Sequence, residues 1–444
     1  MPFPRLAVVA ALLLASVLSL PAQTVTGPRS GRWAHETSPI APDPAVIWGR
    51  LDNGVRYALL PHKGVPGSLA LRYVVLAGSA DERDDEAGIA HFTEHLAFRG
   101  TPSFKAEEMV DLFQRLGVEY GSDVNAVTTF DYTAYMLDYR EHTPALIDEG
   151  LRFFRGIAEG PTFDPQAIVW ESRVILAEMR SRDSVTTRQQ MDNLPVIFRG
   201  LGFTRHTPIG TEQTILSFRR EHFLEFHRRN YRPDMTVIVA AGDFDPEQIA
   251  GQISASFGAL PKREDPPPVR NEGRLNARGL RAGIFRISGV GSADTLLASV
   301  TPTGYPPETK EIVMERQRRD FVMELFGERL GTRIPGVGNP MAGHEVMMGH
   351  TVAMASVSVG GEEWSHGVLS LDQIIRNTHR NGFERSELDR LRQQYLRIAR
   401  HMVAQVPTLD PLILCEALTD SITQHTVYVG LEREYTWMIE WLEA

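Results

Sequence analysis

The stretch HFTEHLAFRGT, residues 91–101, sets two histidines four residues apart with a glutamate beside the second. On a helix, residues four apart lie on one face, one turn above the other, so His91 and His95 can both reach one metal ion. Glu94 lies next to that position and can take a proton from water there. The order His-x-x-Glu-His inverts the common zinc-hydrolase motif and is itself a zinc-hydrolase signature. The alternative, which the motif alone leaves open, is a half-exposed pair of histidines without a metal.

A helix is predicted around this motif, over residues 85–99. Acidic residues fill its first turn, and Gly100 supplies a C-terminal stop. Ile89, Phe92 and Leu96 fall at i, i+3 and i+7, which gives the helix an apolar face. The motif is therefore predicted to lie on a helix packed against a core.

A catalytic zinc ion takes three protein ligands and leaves one position for water, so a third ligand has to come from elsewhere in the chain. The segment VWESRVILAEMRSRDS, residues 169–184, is the best candidate. Glu171 and Glu178 are two helical turns apart and share a face, with their Cα atoms about 10.5 Å apart along the axis. One of them can bind the ion while the other supports a histidine or the water. Helical geometry does not decide between them, and both could instead form a solvated face.

Apolar, β-rich segments surround the motif helix. VRYALLPH (55–62) and SLALRYVVLAGS (68–79) are separated by a short loop and are predicted to pair with each other. NAVTTFDYTAYMLDY (125–139) also favours strands, and MTVIVAAGDF (235–244) is typical of a buried strand. Helices are predicted at 104–117, 145–160, 166–182 and 216–229.

The clearest break in the chain is LPKREDPPPVRNEG, residues 260–273, where three consecutive prolines and alternating charges indicate a stiff linker. It separates a predicted zinc-bearing domain, 46–259, from a second domain, 274–444. Strands and helices mix without a strict β-α-β order, so the predicted fold class is α+β, with a sheet flanked by helices in each domain. In the second domain, strands are predicted at 283–290, 295–302 and 351–359, and helices near 308–330, 368–378, 384–403 and 410–424.

The first residues differ from the rest of the chain. Arg5 precedes the apolar run LAVVAALLLASVLSL (6–20), which is shorter than a membrane-spanning helix needs and is typical of a secretory signal peptide. We expect residues 1–23 to be that signal, followed by a polar, extended leader at 24–45. An uncleaved anchor is the alternative, because Leu20 fits a cleavage site poorly. The sequence predicts an exported protein of the periplasm or the extracellular space, with no stable membrane insertion after cleavage.

Composition narrows the classes of function. Cys415 is the only cysteine, so an exported chain of this size would fold without an internal disulfide, and apolar neighbours indicate that its thiol is buried. The formal net charge is −10, and Lys and Arg form no basic stripe. No nucleic-acid partner is therefore expected.

Several segments together resemble the pitrilysin/insulinase zinc peptidases. GIAHFTEHLAFRGTPSF (88–104) is similar to that family's zinc helix, GSDVNAVTTFDYTAY (121–135) to its substrate-binding strand region, and ESRVILAEM (171–179) to its third-ligand helix. PIGTEQTI (208–215) and YRPDMTVIVAAGDFD (231–245) look like the end of its first domain. The segments follow the family's order over residues 46–250.

The resemblance implies a fold of two similar α/β domains, like that of the mitochondrial processing peptidases, and one zinc ion per chain. Glu94 would be the general base, and Glu171 would support the site. The implied zinc ligands are His91, His95 and Glu178.

The implied activity is hydrolysis of peptides or unfolded segments by a metal-activated water. Asn125 and Ala126 are implied to lie on an exposed edge strand to which the peptide substrate adds. From the residues alone, Asn125 is preferred as a turn residue.

The sequence also departs from the family's pattern. Family members enclose substrate between two halves, and the distal half supplies an arginine and a tyrosine. The comparable segment here, FGERLGTRIPGVGNP (326–340), has no matching tyrosine, and the last residues (434–444) lie in a predicted helix. We expect the zinc-bearing half of a longer protein, or a chain that needs a homologous partner half to close the chamber, with a second domain incomplete at its C-terminus. A non-catalytic structural or assembly subunit of the same family is the alternative.

Overall fold

The computed structural model describes residues 27–276, 279–287, 289–334 and 336–444. The predicted signal peptide and the start of the leader lie outside these residues. The first sheet has six strands in the order β1-β2-β6-β3-β5-β4, in which β2 and β6 run parallel and the other neighbours antiparallel. Its strands are β1 Ile47–Arg50, β2 Arg56–Pro61, β3 Leu69–Val75, β4 Val124–Thr128, β5 Thr133–Tyr139 and β6 Thr236–Gly242.

Two strands that are neighbours in sequence are separated in this sheet. The prediction that 55–62 and 68–79 pair with each other is wrong, because β6 lies between β2 and β3 and pairs with both. Every residue of β3 and of β6 is buried. Strands that are apolar on both faces belong at the centre of a sheet covered on both sides, and the observed order gives both strands such a position.

One face of the first sheet packs against a layer of helices. Leu69, Leu71, Tyr73 and Val75 of β3 contact this layer, while alternate residues face the other side. The helices predicted at 145–160 and 166–182 are confirmed, whereas 216–229 is divided between two helices with a break at 218–219, and 104–117 forms a 3₁₀ turn followed by a shorter helix. The helices are α1 Ile89–Ala97, α2 Met109–Leu116, α3 Pro144–Glu159, α4 Pro165–Ser181, α5 Val185–Ile197, α6 Glu212–Ser217, α7 Arg220–Asn230 and α8 Pro246–Phe257.

The opposite face of the first sheet is covered by a helix from far along the chain. Leu414, Cys415 and Leu418 of α12, residues Pro411–Thr423, pack against β3 and β6. The Cys415 thiol is free and buried, as predicted. Helix α12 follows the segment 260–273 in sequence, but it packs against the first sheet, which precedes that segment.

A second sheet has three antiparallel strands in the order β7-β9-β8. The strand predicted at 283–290 is wrong, since the described residues there pair with no strand. β8 was not predicted, because Gly338, Pro340 and Gly343 give it a low strand propensity. The architecture is the predicted α+β class, with sheets flanked by helices. The remaining elements are β7 Ser292–Pro302, α9 Lys310–Arg333, β8 Gly338–Met347, β9 His350–Gly360, α10 Trp364–Asn381, α11 Arg385–Gln405 and α13 Leu431–Glu443.

The described part of the leader packs against the first sheet, unlike the extended segment predicted. Trp33 is buried beside the sheet, and the guanidinium of Arg56 lies 4.9 Å from the centre of its ring. Arg56 also donates hydrogen bonds to the carbonyl oxygens of Pro28 and Arg32. These contacts hold the leader in place because a buried guanidinium needs acceptors, and the leader backbone supplies them.

Candidate metal centre

The motif helix α1 is shorter than predicted because of the residue before it. Gly88 has a φ of 93°, and a Cβ at this position would lie 2.8 Å from the Cα of Gly210. Glycine is required for both the backbone conformation and the close approach. The helix therefore begins at Ile89 rather than at residue 85, and the acidic residues predicted to fill its first turn precede it.

The apolar face predicted for α1 is buried in the core. Ile89, Phe92 and Leu96 are at most 1% exposed, and they pack in the helix layer. This packing fixes the rotation of the helix about its axis. His91 and His95 consequently project together from another face, with ring centres 4.6 Å apart and ring planes at 76°.

Helix α4 brings both candidate glutamates to these histidines, but to different edges. Carboxylate oxygens of Glu178 lie 3.7 Å from Nε2 of His91 and 3.4 Å from Nε2 of His95. Glu171 lies 3.1 Å from the other ring nitrogen of His95, Nδ1, and also accepts a hydrogen bond from Arg99. Glu178 therefore approaches Nε2 of both histidines, whereas Glu171 approaches Nδ1 of His95, although the two glutamates share one face of α4.

The three groups around Nε2 fit a divalent metal ion. If Nδ1 of His95 donates to Glu171, then Nε2 carries a lone pair, and this lone pair faces the Glu178 carboxylate, which is also an acceptor. Two acceptors this close need a proton or a cation between them. Ligands 2.0–2.1 Å from a tetrahedral zinc ion are about 3.3–3.4 Å apart. The observed separations of 3.4 and 3.7 Å are close to that value.

Glu94 lies beside the two histidines and is almost fully buried. The polar atoms of His91, Glu94 and His95 lie within 4.8 Å of one another, so compactness alone would also admit Glu94 as a ligand. Its Oε2 accepts a hydrogen bond of 2.7 Å from Oγ1 of Thr128. Burial raises the pKa of Glu94 to about 7, against the opposing effects of His95 and of this hydrogen bond. A carboxyl group with a pKa near neutrality suits proton transfer.

The charges of the other groups depend on one another. Burial, together with the neighbouring His95, lowers the pKa of His91 to about 4. For His95 the effect of burial is outweighed by hydrogen bonds to Glu171 and Glu178, and its pKa is raised to about 9. At Glu178 the effect of burial is outweighed by the bond to His95 together with the effects of His91 and Arg182, and the pKa of that carboxyl is lowered. The raised pKa of His95 and the lowered pKa of Glu178 both indicate that a positive charge, a proton or a metal ion, is favoured between this imidazole and this carboxylate.

The predicted edge strand is an edge strand. β4 is the last strand of the first sheet and pairs only with β5 there. Asn125 on it is exposed and Ala126 half-buried. The Asn125 amide donates to the carbonyl of Gly121 at 3.3 Å, and its oxygen accepts from the N–H of Ala126 at 2.9 Å. In this structure the Asn125 side chain thus stabilises the turn that precedes the strand.

The outer edge of β4 offers free backbone groups. The N–H of Asp138 donates to Asp123, and the N–H of Thr129 donates to Tyr132, so the odd-numbered residues of this strand bond to β5. The backbone N–H and C=O groups of the even-numbered residues therefore point away from β5, toward the open edge of the sheet. Both backbone groups of Val124 bond within the preceding turn. The C=O of Ala126 and both backbone groups of Thr128 have no hydrogen-bond partner in the described part of the chain and can bind an added strand.

Sequence reasoning missed three residues next to the candidate ligands. Arg182 pairs with Glu178 at 2.5 Å, and Arg99 pairs with Glu171. Each arginine lies four residues after a candidate ligand, Arg99 after His95 and Arg182 after Glu178, just beyond the end of its helix, and this spacing could have revealed them. Thr128 had no such signal, since it approaches Glu94 from a strand that follows in the chain.

Comparisons with known families match two parts of the chain. Residues 60–200 match the family model described as Insulinase (Peptidase family M16). Residues 217–335 match the one described as Peptidase M16 inactive domain. The first match includes every candidate site residue named above.

Curated relatives are similar over much of the chain. The probable zinc protease PqqL of Escherichia coli is 23% identical over 404 residues, which cover 88% of this chain and 43% of that protein. The protein of the same name from Haemophilus influenzae is 28% identical over 66% of this chain and 31% of its own length. The stromal processing peptidase of Pisum sativum is 32% identical over 48% of this chain and 17% of its own length. The chain thus spans less than half the length of these relatives.

Solved structures share the fold. The first half of the periplasmic protease PqqL from E. coli superposes with a TM-score of 0.81 at 22% identity, over 91% of this chain and 88% of that one. The full-length structure of the same protease gives the same score over 46% of its chain. Among the described residues, no helix is long and apolar enough to cross a membrane.

Proposed function

The chain belongs to the insulinase family of peptidases, peptidase family M16, and we propose that it is the zinc-bearing half of a zinc-dependent endopeptidase. The observation that carries the proposal is the approach of one carboxylate, that of Glu178, to Nε2 of both His91 and His95. The proposed substrates are peptides and unfolded segments. We also propose export, with residues 1–23 as the signal peptide.

The proposed metal ligands are His91, His95 and Glu178, holding one zinc ion per chain. Glu171 holds His95 through Nδ1, so that Nε2 faces the ion. A bound zinc ion would act as a Lewis acid that polarises a peptide carbonyl and acidifies water. Glu94 is proposed as the general base rather than as a ligand, because Glu178 already approaches both imidazoles.

The proposed role of Glu94 is to accept a proton from the attacking water and deliver it to the leaving amine. Burial keeps its pKa near 7, so it can exist in both protonation states near neutral pH. A substrate strand is proposed to add to the outer edge of β4, beside Asn125, through the backbone of Ala126 and Thr128. This edge lies next to Glu94, because Thr128 belongs to the edge strand and its hydroxyl donates a hydrogen bond to Glu94.

Metal analysis together with a cleavage assay tests the proposal. We expect about one zinc ion per chain and chelator-sensitive cleavage of an unstructured peptide, with the missing homologous half supplied where the chain alone is inactive. The chain covers only 43% of the E. coli relative, so a partner half that closes the site belongs in the assay. Zinc binding without cleavage, even with such a half present, would favour the alternative of a non-catalytic assembly subunit.

A further inference from the structure

Thr128 is the last residue of β4 and faces two ways. Val124, Ala126 and Thr128 share one face of the strand, and that face packs toward the helix layer, with Val124 fully buried. The side chain of Thr128 therefore points toward α1, where its hydroxyl reaches Glu94. Its backbone N–H and C=O instead lie in the plane of the sheet and point to the open edge.

The hydroxyl of Thr128 restricts the Glu94 carboxylate. Within the described residues, it is the only hydrogen-bond donor to that carboxylate, at 2.7 Å. A threonine side chain is stiff because it is branched at Cβ, so the donor has a fixed direction once the strand is in place. The bond occupies Oε2 and leaves Oε1 to receive a proton. Without it, no hydrogen bond from the described residues would fix the rotation of this carboxylate.

We propose that Thr128 is a positioning residue, which orients the Glu94 carboxylate through its hydroxyl while its backbone binds the substrate strand. The inference rests on the proposed peptidase function, in which Glu94 is the base. It adds a coupling between two events: a strand added at the edge of β4 bonds to the same residue that sets the direction of the base. Binding of substrate and orientation of Glu94 are then linked through one residue.

Thr128→Val tests this role because it removes the hydroxyl and keeps the branched shape. In the zinc-loaded protein, with the partner half where needed, we expect kcat to fall about 10- to 100-fold, the range for a misplaced catalytic group. KM is expected to stay within about twofold, because the backbone that binds the substrate is unchanged. Thr128→Ser, which retains the donor, is expected to restore most of kcat. Thr301→Val on the exposed part of β7 is the matched control and should behave as wild type.

A second measurement needs no catalysis. Crystal structures of both proteins, with and without zinc, make this measurement. In the wild type, Glu94 should be hydrogen-bonded to Thr128. In Thr128→Val, the Glu94 carboxylate should be rotated or should adopt several orientations. If Glu94 keeps one orientation in Thr128→Val, or if that variant retains the wild-type kcat, the positioning role is wrong. A wild-type protein that cleaves no peptide would contradict the proposed function instead, and the crystal structures would still decide the role of Thr128.

Discussion

At the scale of single residues, the proton-transfer role proposed for Glu94 can be tested separately from metal binding. Glu94→Gln keeps the shape of the side chain and removes its basicity. We expect zinc content to be unchanged and kcat to fall about 10²- to 10⁴-fold, the usual cost of losing a general base. Zinc analysis and peptide cleavage check this, with the exposed Glu107→Gln as control. Wild-type cleavage by Glu94→Gln would contradict the assignment.

Glu171 is expected to act on zinc affinity through His95. Its carboxylate lies 3.1 Å from Nδ1 of His95, the ring nitrogen opposite to the proposed ligand atom Nε2. Glu171→Gln should lower zinc affinity about 10- to 100-fold, the range for loss of a group that orients a histidine ligand. Competition with a zinc chelator measures it. Glu149→Gln, which alters an exposed pair with Arg115, is the control; equal affinities in both variants would rule out the orienting role.

The candidate site was predictable to different degrees at different residues. The spacing of His91, Glu94 and His95 was sufficient to predict that their side chains lie close together, since all three lie on one helix whose buried face is evident from the sequence. Helical geometry did not decide between Glu171 and Glu178, because they share a face of α4 and differ only in which edge of His95 they meet; the family resemblance alone implied Glu178. That difference depends on how α4 crosses α1, which is a property of tertiary packing. Thr128 depends on the same packing.

At the scale of elements, the start of α1 is held by a buried carboxylate. Glu82 accepts the backbone N–H groups of Gly88 and Ala90, both at 3.0 Å, and lies 3.8 Å from His206. Such bonds satisfy N–H groups that a helix leaves free at its first turn. Burial raises the pKa of Glu82 to about 7, and the neighbouring carboxyl groups of Glu82 and Asp84 raise the pKa of His206.

This pair predicts a pH dependence of stability. The folded pKa of Glu82 exceeds its unfolded value of about 4.3, so the folded state binds its proton more tightly and stability falls as the pH rises from about 4.3 to 7. His206 has the same sign, since its contribution is complete below about 6.5 and is lost as the pH rises through its raised pKa. We expect the free energy of unfolding of the wild type, relative to Glu82→Gln, to decrease by roughly 1–3 kcal/mol between pH 5 and 8.

Urea unfolding at several pH values measures this difference. Glu221→Gln, at an exposed position of α7, is the control and should show no difference that varies with pH. A constant offset between wild type and Glu82→Gln across this range would mean that the carboxyl does not titrate in it.

Two strand assignments failed because local composition does not show which segments pair in a sheet. The strand assigned to 283–290 is apolar enough for a sheet, but β strength in a sequence does not supply a partner strand. β8 is the converse case, since it contains glycine and proline and is held by its pairing with β9. Local composition therefore predicted most helices and the central strands, and failed where neighbouring strands decide the outcome.

At the scale of the whole molecule, α12 links the last part of the chain to the first sheet. Leu418 on this helix is fully buried in the core that it forms with β3 and β6. Leu418→Ala should lower the free energy of unfolding by about 2–5 kcal/mol, as for other buried leucines. Leu369→Ala, at a position that is 67% exposed, should change it by less than about 0.5 kcal/mol. Denaturant unfolding compares the two, and similar stabilities would mean that α12 is loosely attached.

The domain organisation was only partly visible in the sequence for the same reason. The proline-rich, charged segment 260–273 lies between the first sheet and the second sheet, all of whose strands follow it in sequence. A sequence pattern shows that α12 has a buried face, but it does not show which sheet that face meets. The contact joins segments hundreds of residues apart and arises only when the chain is folded.

The position of α12 also has a consequence for how the protein is made. The ribosome releases β3 and β6 long before it releases residues 411–423. One hydrophobic face of the first sheet therefore stays uncovered in the nascent chain for much of its synthesis. Contacts so distant along the chain slow folding and prolong the exposure of that surface to other nascent chains. We expect the protein to depend on chaperones during its synthesis and to refold from denaturant in good yield only when dilute.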